Sequence, residues 1–301
     1  MLIESLAMLE SRKKIFNQKI DVSPSRVLMT SPEYFEVIYA INPYMKDESG
    51  NLKQVDRGLA MKQWQILKDK YISLGMKVDV LPGVAGFPDM VFCANQSLPF
   101  WDVEKNKPAV IMSHMRSEFR QGEVETYSKW YRQNGYIVHE LPQRALSLEG
   151  NGDALVHPGR KLIWGGWGPR TDRDVYKEIT NISGYDVIPL PLMNPSFYHL
   201  DTCFSILDEN TVVIQPEAFD ELSSKMIFEV FENVIETSIA DCSTFFTGNC
   251  HSPNGKDVIT HKGCDRFDAE LIKKGYDVHP VDTSEFIKSG GSVFCMKMMC
   301  Y

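Results

Sequence analysis

No apolar run in this 301-residue chain approaches the ~18 residues that span a bilayer. Basic residues are in the minority: 32 Lys and Arg against 40 Asp and Glu leave a formal net charge of −8. That balance excludes the basic face that nucleic acid or an anionic membrane surface requires, so neither is expected as a partner. The seven cysteines are an odd number without framework spacing. A disulfide scaffold is excluded, and reduced thiols are expected, six of them small core hydrophobes. Met1-Leu2-Ile3-Glu4-Ser5-Leu6-Ala7 has acid where a secretion signal has base, so a cytoplasmic setting is expected. Low-complexity linkers are also lacking, which argues for one domain. Gly165-Gly166-Trp167-Gly168 lacks phosphate-loop spacing, and Cys250-His251 with His261 and Cys264 lacks the paired spacing of zinc ligands. No metal, nucleotide or flavin is implied.

What the chain does have is one phrase used repeatedly. Leu74-Gly75-Met76-Lys77-Val78-Asp79-Val80-Leu81-Pro82 returns as Asn134-Gly135-Tyr136-Ile137-Val138-His139-Glu140-Leu141-Pro142, as Ser183-Gly184-Tyr185-Asp186-Val187-Ile188-Pro189 and as Lys274-Gly275-Tyr276-Asp277-Val278-His279-Pro280. Each copy follows a helix-like stretch. The Gly reads as the left-handed residue that closes a helix, and the apolar alternation after it reads as a strand. The glycines stand 60, 49 and 91 residues apart, and a degenerate ending, Asn233-Val234-Ile235-Glu236-Thr237-Ser238-Ile239, fills the wide gap. Five strand-helix-strand units of roughly 50 residues predict an α/β ring in one domain, with functional residues from different units meeting at its axis. The expected units are about 25–82, 83–142, 143–192, 193–241 and 242–301, after a helical lead-in over residues 1–24. Strands are expected around Phe92 and Val110, and the last unit is expected to end in a strand at the C-terminus.

Polar clusters stand at the ends of these apolar strands, where a core would not place them. Glu149-Gly150-Asn151-Gly152-Asp153 opens the third unit, Phe197-Tyr198-His199-Leu200-Asp201-Thr202 opens the fourth, and Gly290-Gly291-Ser292-Val293-Phe294-Cys295 closes the fifth. Cys295, His199 and Glu149 form a nucleophilic set: a thiolate to attack, an imidazole to move protons and a carboxylate to orient it. Individually each has a plainer reading, as a structural thiol, a satisfied polar residue or a turn cap. Phe87-Pro88-Asp89-Met90-Val91-Phe92-Cys93-Ala94-Asn95 makes the combination specific, since Asp89 and Asp201 are two carboxylates that such a triad does not need. Two acids around one thiol suit a cationic substrate. A guanidinium, planar and able to pair bidentately with carboxylates, fits best.

The order acid, Glu-Gly…Gly-Asp, His-x-Asp-Thr, Gly-Gly…Cys resembles, over nearly the whole chain, the guanidine-modifying enzymes of the pentein fold. These include dimethylarginine dimethylaminohydrolases, arginine deiminases, arginine dihydrolases and glycine amidinotransferases. The resemblance implies a five-bladed α/β propeller, Cys295 as nucleophile, His199 as general acid and base, Glu149 as its partner, and Asp89 and Asp201 as guanidinium clamps. Glu149-Gly150-Asn151-Gly152-Asp153 is one residue longer than the dimethylargininase version, and Ser292 stands where many relatives have a third Gly. The longer form, with Pro88-Asp89-x-Val91-Phe92-x-Ala94-Asn95, looks most like the arginine dihydrolase branch, in which an Asn at the position of Asn95 is linked to a second round of hydrolysis. Asp153 joins the expected substrate-binding residues.

Arg116 and Arg170, on segments resembling the family's arginine-bearing loops, are expected to anchor a substrate carboxylate. Arg120 and Arg173 read equally well as solvated helix-start residues paired with nearby acids. The expected activity is cofactor-independent hydrolysis of the guanidino group of arginine or an N-substituted arginine, through a covalent thiouronium on Cys295. The rival readings are an amidinotransferase, in which an amine opens the thiouronium, and a non-catalytic arginine-binding member. Oligomeric state is left open by the sequence.

Overall fold

The structure, a computed structural model, describes residues 1–142 and 146–301. The four repeated glycines take φ of +84° at Gly75, +81° at Gly135, +71° at Gly184 and +96° at Gly275. A side chain would be strained there, and each Gly ends the helix before it: Arg57–Ser73, Val124–Gln133, Val175–Ser183 and Asp265–Lys273. The phrase after each is a strand, Lys77–Leu81, Ile137–His139, Asp186–Pro191 and Asp277–Val281, and the degenerate copy is the strand Asn233–Glu236. Each runs parallel to the strand that precedes its helix, at Arg26–Thr30, Lys107–Met112, Leu162–Trp167, Asp257–His261 and Thr211–Ile214 respectively. The expected α/β class is the observed one.

Among the described residues the strands form five small sheets. In three of them an antiparallel strand from the same unit, Ser97–Asp102, Ala154–Val156 or Phe204–Ile206, completes the set. The fifth sheet has two strands and an isolated antiparallel bridge between His251 and Ile259. In the first sheet the third strand is Met298–Cys300, in the register Arg26 to Cys300. The expected C-terminal strand therefore belongs to the sheet of the first unit. Its hydrogen bonds cover an edge of Arg26–Thr30 that would otherwise stand open, and they hold the Cys295 turn against the start of the chain.

Two further expectations are corrected. The lead-in helix is Leu6–Phe16, capped by Ser5, and stops well before residue 24. It buries Leu9 and Phe16, while Arg12 and the Met1 amine both bond Asp186. No strand forms around Phe92: Pro88–Val91 is a 3₁₀ turn, favoured by proline at its first position, and the strand starts at Ser97. The expected start of the third unit, residue 143, lies outside the described residues. No helix among the described residues is long and apolar enough to cross a membrane.

Candidate active site

The four polar clusters converge because glycines let backbones touch. Gly150, at φ +49°, lies so close to the next segment that a Cβ would stand 2.4 Å from the Ser97 carbonyl oxygen. At Gly152 a Cβ would fall 2.3 Å from Asn95 Nδ2, and at Gly291 it would fall 2.2 Å from the Phe92 ring. The Glu149 turn, the Asp89–Asn95 segment and the Cys295 turn thus share one place, together with His199, which precedes the 3₁₀ turn Leu200–Thr202. Asp89, Asn95, Arg120, Arg170, Tyr198, His199 and Cys295 line one cavity of about 20 Å³, room for about one water. The segment carrying Ile41, Asn42 and Met45 lines it too, tied down by Asn42 Nδ2 donating to the Ser289 carbonyl at 2.9 Å.

His199 Nε2 lies 2.7 Å from Glu149 Oε2, and Arg170 Nη1 donates to the same carboxylate oxygen at 3.0 Å. Glu149 is fully buried, and burial alone would push its pKa up. Arg170 and His199 outweigh that and hold it at about 2. A carboxylate held below its ordinary 4.5 stabilises the fold fully above that value, and the contribution is lost as pH falls towards 2. Glu149→Gln is therefore expected to cost on the order of 3 kcal/mol at pH 7, since Arg170 is left buried without its carboxylate. The gap from wild type should narrow between pH 4.5 and 2. Denaturant unfolding at pH 7 and at pH 3 checks it; a gap that does not depend on pH contradicts the assignment.

Cys295 makes no hydrogen bond to His199 among the described residues. Its Sγ donates to Asp201 Oδ2 at 3.1 Å and accepts from Asn249 Nδ2 at 3.2 Å. Asn249 Oδ1 in turn accepts from the Phe294 and Cys295 amides. Burial and then the neighbouring Asp201 carboxylate push the Cys295 thiol well above its ordinary range. Asp201 is pushed up to about 7 by burial, with the Cys295 hydrogen bond and the Lys297 charge opposing. Its Oδ1 has no partner, and neither does Asp89 Oδ2; Asp89 Oδ1 accepts from Ser289 Oγ at 2.9 Å. Two buried acids, each with an unpartnered oxygen, stand at the thiol, Asp89 lining its cavity and Asp201 bonded to the sulfur, a chemistry suited to a cationic donor set.

Asn95 does not share a strand with Asp89; the chain turns between them, and both still reach the cavity. Arg120 Nη1 occupies Asn95 Oδ1 at 2.9 Å and leaves Nδ2 buried and unpartnered. Arg120 is buried and bonds Glu123 and the Asp89 carbonyl as well, so the solvated reading of that residue is corrected. Its burial is set by Asn95, Gln96 and the Asp89 turn, which the sequence places in no local pattern. Arg173 is half exposed and pairs with Glu4. Asp153 does not line the cavity: its oxygens accept from the Leu200 amide and Thr171 Oγ1, which fixes the turn after His199. Arg116 lies outside the cavity as well, 41% exposed, bonding Asp172 and the Arg170 carbonyl. Arg170 lines the cavity, with Nη2 donating to the Ile41 carbonyl at 2.6 Å. Asn249, Ser289, Tyr198 and Arg120 are the site residues that sequence reasoning does not pick out.

The chain is similar to known proteins over most of its length. A sequence profile for the family described as N,N dimethylarginine dimethylhydrolase, eukaryotic, matches residues 31–300. The N(G),N(G)-dimethylarginine dimethylaminohydrolase of Mycobacterium tuberculosis is 34% identical, over 90% of this chain and 84% of that protein. The bifunctional arginine dihydrolase/ornithine cyclodeaminase AgrE of Nostoc sp. is 35% identical, over 91% of this chain and 37% of that longer protein. Among solved structures, the substrate-bound N-terminal domain of ArgZ, an arginine dihydrolase from the ornithine-ammonia cycle in cyanobacteria, has a TM-score of 0.83 at 32% identity, covering 91% of this chain and 97% of that one. A second structure of that domain, holding a covalently bound reaction intermediate, gives the same score and identity, with 91% and 96% covered. From the extent of the family match and these identities, the chain belongs to the dimethylarginine dimethylaminohydrolase family.

Proposed function

We propose that this chain hydrolyses the guanidino group of arginine or an N-substituted arginine through a covalent intermediate on Cys295. The observation that carries the reading is the pair of buried, half-free carboxylates, Asp89 and Asp201, around a thiol in one cavity with His199. The relatives named for arginine dihydrolase and dimethylarginine dimethylaminohydrolase activity support it, as does the ArgZ domain that carries a covalent intermediate. The five sheets are read as the blades of a five-bladed propeller in a single catalytic domain, with the site at its axis.

A guanidinium between Asp89 and Asp201 replaces the thiol as the donor to Asp201. It brings a positive charge beside a sulfur that burial and Asp201 otherwise keep protonated, and so favours the thiolate. Cys295 attacks the guanidinium carbon, and the proton lost by the thiol reaches the departing amine through His199. The C–N bond breaks, leaving the thiouronium. His199 then takes a proton from water, whose oxygen adds to the same carbon, and the thiolate leaves with a ureido product. With Nε2–H held by Glu149, Nδ1 is the nitrogen left to move protons. Arg170, which lines the cavity, is read as the anchor for the substrate's amino-acid end, with Arg116, outside the cavity and bonded to the Arg170 carbonyl, as its support.

Of the two substrate classes, Asn95 favours arginine carried beyond citrulline. A ureido group is neutral, and its carbonyl needs a donor that carboxylates cannot give; Asn95 Nδ2 is buried and unpartnered beside the cavity. Re-attack by Cys295 would release the second ammonia and leave a thiocarbamate on the sulfur; water would then add to the same carbon, the thiolate would leave, and the freed carbamate would lose carbon dioxide to give ornithine. Arginine is expected to yield two ammonia per molecule consumed, falling to one with citrulline accumulating in Asn95→Ala. One equivalent from the wild type would instead assign a single hydrolysis, as in a deiminase or dimethylargininase.

A further inference from the structure

Lys297, two residues beyond Cys295, is a charge the mechanism above does not use. It is 1% exposed, and among the described residues its ammonium has no carboxylate within ion-pair distance. It rests 3.1 Å from the centroid of the Phe294 ring instead. An aromatic face compensates only part of the cost of burying an ammonium, which runs to several kcal/mol, so the position calls for a use.

Phe294 and Lys297 line a second cavity, of about 710 Å³, while Cys295 between them lines the small cavity that holds His199 and Asp89. The turn Phe294–Lys297 is therefore the wall between the two spaces, with Cys295 lining one and Phe294 and Lys297 lining the other. The other buried residues lining the large cavity, among them Leu155, His157, Tyr185, Leu207 and His251, are apolar or neutral, since burial holds both histidines well below their ordinary pKa. Lys297 is the one lysine or arginine among the buried residues of this lining.

We propose that Lys297 is the resident counter-charge of the Cys295–Asp201 pair and acts through Cys295, making its thiolate accessible when no guanidinium is bound. This rests on Cys295 being the nucleophile. The need is physical. A cationic substrate brings its own positive charge, but the thiolate must also leave during thiouronium hydrolysis, and a neutral ureido group brings no charge for a second attack. An ammonium behind the sulfur serves those stages for as long as it stays protonated. The titratable groups whose charge bears on Lys297 are Asp201, Cys295, Cys93 and Cys300, and Lys297 in turn bears on His251; Arg120 bears on Asp201, and Cys295 and Arg170, the latter over the Tyr198 ring, bear on Tyr198. Burial lowers Lys297 to about 7, with Asp201 and then Cys295 pulling it back up.

The test needs no substrate. The pH dependence of Cys295 alkylation by iodoacetamide, read by peptide mass, should move to higher pH by about one unit or more in Lys297→Met. Lys297→Arg should restore most of the shift. A folded Met variant with the wild-type midpoint overturns the proposal. Should that variant fail to fold, the Lys297 ¹³Cε titration in the wild-type protein decides. Blocking Cys295 with iodoacetamide removes the thiolate partner and should lower that midpoint, and an unchanged midpoint overturns the proposal equally. Both readouts are independent of turnover, so an error in the proposed reaction, visible as an active Cys295→Ser protein, is distinguishable from an error here.

Discussion

Cys295→Ser is expected to abolish turnover of arginine and dimethylarginine while the protein folds normally. The hydroxyl can keep both contacts of the thiol, donating to Asp201 Oδ2 and accepting from Asn249 Nδ2, and the site is already closed around a group of nearly that size. The anion is what is lost. A thiol pushed up by burial and Asp201 still reaches a thiolate when a guanidinium arrives, whereas a serine hydroxyl is a far weaker acid and the Asp201 carboxylate bonded to it is too weak a base to take its proton. Losses for a deleted nucleophile are on the order of 10⁶-fold in kcat. The other cysteines give the internal control. Cys93, Cys203, Cys242, Cys250, Cys264 and Cys300 are buried and none lines the Cys295 cavity. Their Ser variants should keep kcat whatever they lose in stability. Steady-state kinetics beside a thermal melt read both quantities; turnover near the wild-type rate in Cys295→Ser removes the nucleophile assignment.

How much of this was legible in the chain follows from range. Gly75, Gly135, Gly184 and Gly275 announce their helix ends because a positive φ is a local demand, and the strands after them follow from local alternation. The Cys, His, Glu and Asp clusters stood out because polar residues at apolar strand ends contradict a core. Closure of the first sheet was not legible: Arg26 and Cys300 pair across almost the whole chain, and nothing near either residue encodes it. The even spacing of Asp89 and Asn95 reads as one face of the strand expected around Phe92. Pro88 instead starts a 3₁₀ turn, and the two meet in the cavity through the turn's curvature. Arg120 three residues before Glu123 reads as a surface helix pair. Only the arrival of Gln96 and Asn95 from the preceding segment turns it into a buried network. Asn249, which holds both the sulfur and the amide of Cys295, sits in a Gly-Asn-Cys stretch with no pattern at all.

His199→Ala should separate the two chemical steps and leave the enzyme trapped between them. The imidazole is preset: Nε2 is held at 2.7 Å by Glu149, which Arg170 fixes in turn, so the ring can turn over protons without reorganising. General acid–base catalysis contributes about 10²–10⁴-fold to a step, and here one ring serves both departure of the amine and activation of water. With arginine, whose amine must be protonated to leave, both steps slow. With an isothiourea analogue of arginine, whose thiolate departs without a proton, the first step should survive because Cys295, Asp89 and Asp201 are untouched. The second step still needs a base. Intact-protein mass after acid quench should then show the amidine adduct on Cys295 accumulating in His199→Ala and not in the wild type. Absence of the adduct under every condition, with Asp201→Asn still turning over arginine, would mean that the roles of these residues are wrongly divided. An adduct that forms and stays places the missing proton transfer at His199.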